Sequence, residues 1–87
     1  MTRPYSFIKL TSEQAKELSI FLAGGFAPYG LRARLRAQAI WFSHKGETVE
    51  QISRRFNKSK RSIWKWFKLY QQKGLEGLKG KYVYKRL

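Results

Sequence analysis

The chain has 87 residues, no Cys, one His and no Asp, with a net charge of +14 and a pI near 10.6. That length holds one small domain, and the missing Cys excludes a disulfide framework and a thiolate zinc site. Apolar residues at 43% and aromatics at 16% exclude a disordered polyelectrolyte, so the cationic surplus belongs to a folded domain and points to an anionic partner.

Residues 1–10, MTRPYSFIKL, read as an extended segment, because Pro4 disfavours helix before it and Tyr5, Phe7 and Ile8 favour strand. This start has no apolar run long enough for a signal peptide, and the apolar stretch IFLAGGFAPYGL is too short and broken to span a bilayer. The expected location is cytoplasmic. Thr11 and Gln14 have capping-box spacing and open a first helix whose apolar side carries Ala15, Leu18, Phe21 and Leu22. Gly24, Gly25 and Pro28 end it.

A second helix is expected from Leu31 to Ser43. Leu31, Leu35, Ala39 and Phe42 share one face and Ala33, Ala37 and Ile40 another, the pattern of a central helix packed on several sides. Gly46 supplies the left-handed stop. Thr48 and Gln51 repeat the capping box before a short third helix with Val49, Ile52 and Phe56 inward. Asn57 ends it, Ser59 caps a fourth helix reaching Gln72, and Gly74 stops that one.

A short helix, a tight turn and a longer helix over residues 48–72 make a helix-turn-helix. On a helical wheel Ile63, Trp66, Phe67 and Tyr70 cover an arc of about 100°. Arg61, Lys65, Lys68 and Gln72 lie opposite, while Lys60 and Trp64 flank the apolar stripe. From Gln51 to Leu75 there is no acid, yet the window holds Arg54, Arg55, Lys58, Lys60, Arg61, Lys65, Lys68 and Lys73. A solvated helix usually interleaves both signs, so one-sign clustering points to an anionic partner, nucleic acid first, with a merely soluble basic surface as the alternative.

A helix in the major groove turns donors toward bases and phosphates. Arg61 and Lys65 are expected to read bases, with phosphate contact as the alternative, and Lys68 is offered on the same face. Trp64 either covers the seam with the second helix or leans on a sugar with its indole N–H toward a phosphate. Arg54 and Arg55 sit on the helix that crosses the backbone and are assigned to phosphates, as are Arg34, Arg36 and Lys58. His44 stands alone and receives no role.

The segment LRARLRAQAIWFSHKGETVEQISRRFNKSKRSIWKWFKLYQQKGLEGL, residues 31–78, resembles the N-terminal helix-turn-helix of mariner-like insertion-sequence transposases, which is related to the paired-type DNA-binding domain. LTSEQAKEL resembles the leading helix of that group. The resemblance implies an all-α, homeodomain-like or paired-like three-helix bundle with an extra N-terminal helix and short extended basic termini. It also implies DNA binding at element ends through Ser59, Lys60, Arg61, Trp64 and Lys65. Two positions depart from the pattern: Asn57 replaces a frequent Gly, and Lys58 stands where an apolar residue is common. The sequence also stops where such transposases continue into a catalytic domain.

The expected division is an extended segment over 1–10, a helical DNA-binding domain over 11–78 and a basic arm over 79–87, with Lys79 and Lys81 on phosphates. That tail, with Tyr82, Val83 and Tyr84, alternatively pairs with YSFIKL as a small wing or serves as a linker. Scattered Glu residues and a lone His offer no carboxylate cluster and no nucleophile–base pair. The expectation is a non-enzyme without cofactor, metal, membrane or small-molecule substrate: a transposase recognition module, a mobile-element protein or a small repressor. Two other readings are RNA or single-strand binding through stacked Trp64 and the tail tyrosines, and an assembly role. For the latter, Phe21, Phe26, Ile40 and Trp41 are a candidate homodimer surface on the first two helices.

Overall fold

The computed structural model describes residues 8–79. The N-terminal segment is therefore seen only from Ile8, and the tail residues 80–87, with Lys81 and the wing alternative, lie outside the described residues. The described residues form five α-helices: α1 (Ser12–Ile20), α2 (Leu31–His44), α3 (Val49–Phe56), α4 (Lys60–Lys73) and α5 (Leu75–Lys79).

Thr11 starts α1 as the spacing predicts. Its hydroxyl accepts from the Gln14 N–H at 3.1 Å, and the Gln14 amide oxygen accepts from the Thr11 N–H at 3.0 Å. Leu18 and Phe21 are buried. As the glycines predict, regular winding breaks here: past Ile20 the chain widens into a π-turn over Phe21–Gly25 that Gly24 interrupts with a non-helical backbone (φ 166°, ψ -18°), and a 3-10 turn follows over Ala27–Tyr29, where Pro28 loses no bond because the first turn needs no N–H.

On α2 the buried residues are Ala33, Ala37, Ala39, Ile40 and Ser43. Leu31, expected on an inward face, is 72% exposed. It is the first residue of the helix, and on the wheel it lies opposite the buried Ala33, Ala37 and Ile40. The alanines form the seam because their small side chains let neighbouring helices approach. A Schellman motif closes α2: Gly46, at φ 106°, donates to the Ser43 carbonyl at 2.9 Å, and Glu47 donates to the Phe42 carbonyl at 3.0 Å.

The helix-turn-helix forms as its local signals require. Thr48 and Gln51 exchange capping-box bonds of 3.1 and 2.8 Å at the start of α3. Asn57 takes the left-handed conformation at φ 56°, while its N–H and that of Lys58 satisfy the Arg54 and Ser53 carbonyls. Ser59 then caps α4, accepting from the Ser62 N–H at 3.2 Å. Ile52 and Ser53 from α3 meet Ile63, Phe67 and Tyr70 from α4 inside the bundle. Trp66, expected in the core, is only half-buried at its edge. Burial, and behind it the Glu17 carboxylate, raises the Tyr70 phenol above its ordinary value.

Two features have no counterpart in the sequence reading. Lys79, expected to open an extended arm, is the last residue of α5. Leu78 of that helix is fully buried, and its carbonyl accepts from the Arg36 guanidinium at 3.1 Å. Gly77 makes the docking possible, since a Cβ there would sit 2.8 Å from the Leu69 carbonyl oxygen. At the other end of the chain, Ile8 is buried and its N–H donates to the Ser43 hydroxyl at 2.7 Å. Leu10 donates to Nδ1 of His44 at 3.1 Å. Side chains of α2 thus stand in for a β-strand as partners of the incoming backbone.

The four residues expected at a dimer surface lie in or against the core. Phe21 and Ile40 are buried, and Phe26 and Trp41 pack against the same core. Among the described residues, the large apolar side chains left exposed are Ile20 and Leu31.

Candidate nucleic-acid interface

The amphipathicity of α4 positions the site. Burying Ile63, Phe67 and Tyr70 fixes the rotation of the helix, and a 3.6-residue repeat then turns Arg61, Lys65, Lys68 and Gln72 to the far side. All four are exposed. Among the described residues no ion pair or hydrogen bond engages Arg61, Lys65 or Lys68, because the nearby acids are committed elsewhere. Glu50 binds Arg54 at 3.0 Å, Glu47 holds Arg55 through two bonds, and Glu76 takes Lys79 at 2.9 Å.

The remaining expected site residues divide by what they touch. Lys58 and Lys60 are exposed on either side of the cap that starts α4. The Ser59 hydroxyl is engaged in that cap and lies 3.2 Å from the Ser62 hydroxyl. Trp64 is half-buried and packs against the core. Arg54 is mostly exposed, and its pair with Glu50 is a solvent-screened contact of one helical turn. Arg55 is held more firmly: besides Glu47, its guanidinium lies 4.3 Å from the centre of the Phe42 ring.

On α2, Arg34 is exposed and stacks 5.3 Å from the Phe26 ring centre. Arg36 is spent partly on the Leu78 carbonyl. Lys79 is drawn inward, its ammonium 5.0 Å from the Tyr29 ring centre and held above the usual lysine range by the hydrogen bond it donates to the Glu76 carboxylate. The structure thus gathers Arg61, Lys65 and Lys68 on one face with Lys58, Ser59 and Lys60 at its leading end. Arg34, Arg36 and Lys79 have contacts of their own within the protein.

One cluster escaped the sequence reading. Arg32, Leu35 and Arg36 of α2 line a cleft with Lys58 and Trp66. The signal was the i, i+4 spacing of Arg32 and Arg36, which sets both on one side of α2. Nothing in the sequence said that the turn after α3 would bring Lys58 to the same place.

Among the described residues no group of His, Cys, Asp and Glu is arranged to hold a metal ion. No helix among them is long and apolar enough to cross a membrane. No curated protein and no solved structure matches the chain. Residues 31–79, the stretch from the start of α2 to the end of α5, match the homeodomain-like domain, and a helix-turn-helix of this kind points to DNA as the partner; the chain belongs to that family.

Proposed function

We propose that this protein binds double-stranded DNA sequence-selectively, with α4 in the major groove, as the recognition module of a transposase-type system. The observation that carries the reading is the row formed by Arg61, Lys65 and Lys68. These three cations stand on the exposed face of the second helix of a helix-turn-helix, and among the described residues no acid pairs with them. Exposed Lys and Arg donors reach guanine edges and phosphate oxygens. Arg54 and Arg55 on α3 lie where the preceding helix of such a motif crosses the backbone. The reading assigns the molecule recognition and no bond-making step.

Selection from a random duplex pool tests it. A short consensus should emerge, and Arg61→Ala or Lys65→Ala should narrow the gap between the consensus and scrambled duplexes by about tenfold or more. A pool that yields no preference removes the claim of selectivity. Tighter capture of structured RNA than of any duplex would replace DNA by RNA as the target.

A further inference from the structure

The cleft between α2, the turn after α3 and the middle of α4 has a volume of about 190 Å³ and is lined by Arg32, Leu35, Arg36, Lys58 and Trp66. Three of its five lining residues are cations and none is an acid. The ion pairs among the described residues take Glu47, Glu50 and Glu76 to Arg55, Arg54 and Lys79, so none of those carboxylates neutralises this cleft. Cations gathered without a counter-charge repel one another, and the arrangement is relieved when an anion enters.

The details of the lining fit an oxyanion. Arg36 lines the cleft, and the bond its guanidinium donates to the Leu78 carbonyl restrains that side chain. Arg32 and Lys58 are exposed at the cleft. Trp66 and Leu35 supply apolar walls, which lower the local dielectric and strengthen a charge contact. The volume is below the roughly 300 Å³ at which pockets for whole small molecules begin, so a phosphate group suits it better than a nucleoside. Trp66 is half-buried where its neighbours Ile63, Phe67 and Tyr70 are buried, and a place in this wall accounts for its exposure.

We infer that this cleft is a phosphate-binding site that takes a backbone phosphate of the duplex held by α4. It is a second contact, set on the α2 side of the turn, and it brings Arg32 and Trp66 into the interface. The inference rests on the DNA-binding reading above.

The test uses the full chain, with Arg32→Ala/Lys58→Ala as the cleft variant and the Trp66 indole N–H signal as the reporter. Expected is a shift of that signal when duplex is added. The cleft variant should weaken consensus and scrambled duplexes by the same factor and flatten the slope of log affinity against log salt by about one. An unchanged slope in a variant that still binds duplex overturns the cleft and leaves the α4 interface standing. Loss of binding to every duplex by the unaltered chain removes both. A separate arm adds inorganic phosphate alone. If phosphate moves the Trp66 signal while duplex does not, the cleft holds a free anion and the backbone assignment is overturned.

Discussion

Ser43 is a buried polar side chain whose hydroxyl accepts the N–H of Ile8 at 2.7 Å. Without it that buried N–H loses this acceptor, and a stranded buried donor costs about 1–3 kcal/mol. Ser43→Ala should therefore lower unfolding stability by that amount and speed hydrogen exchange at the Ile8 amide. Urea unfolding and exchange by NMR check both. Neither Ser43 nor His44 could be assigned this work from sequence, because their partners lie 35 and 34 residues away and the contact depends on where the incoming segment lands. The cationic row was readable, since a periodic stripe of Ile63, Phe67 and Tyr70 dictates what faces away from it. Tyr70 supplies a pH test. Burial and Glu17 raise its phenol from an ordinary value near 10, so the folded state prefers the neutral form. Its contribution is complete below the unfolded pKa and falls as pH rises through the folded one. Tyr70→Phe should flatten the loss of stability on the alkaline side, measured by urea unfolding through a pH series.

The helices of the motif were legible where their signals are local. The capping boxes at Thr11 and Thr48, the left-handed stop at Asn57 and the Ser59 cap each need only a few adjacent residues. What sequence could not supply was anything that depends on two elements meeting. Leu31 scored as an inward residue by spacing, yet the arc that α2 buries is set by which neighbours press on it. The short α5 was missed for the same reason. Its five residues are too few for periodicity to register, and its position is fixed by Gly77 lying against the Leu69 carbonyl. Adding a Cβ at 2.8 Å from that oxygen and 3.1 Å from the Lys73 Cβ must push α5 away from α4. Gly77→Ala should cost about 1–3 kcal/mol, the range for overpacking a tight contact, and should disturb the Arg36–Leu78 bond. Thermal unfolding and the chemical shift of the Leu78 carbonyl report the two effects.

At the scale of the molecule, charge and packing are divided between opposite sides of the same helices. Residues 31–79 contain thirteen Lys and Arg against three Glu, and each of those Glu is paired. Such a surface gathers a polyanion from a distance and releases counterions when it docks, so affinity must fall steeply with salt. The most direct test replaces Arg61, Lys65 and Lys68 together by Ala and follows duplex binding across a salt series. None of the three is engaged in an ion pair or hydrogen bond among the described residues, so the thermal midpoint should stay close to that of the unaltered chain. The account predicts binding weakened by at least a hundredfold and a slope of log affinity against log salt flatter by one to about three. Unchanged affinity and slope in a variant that remains folded would contradict it, and the outer face of α4 would not be where this protein meets DNA.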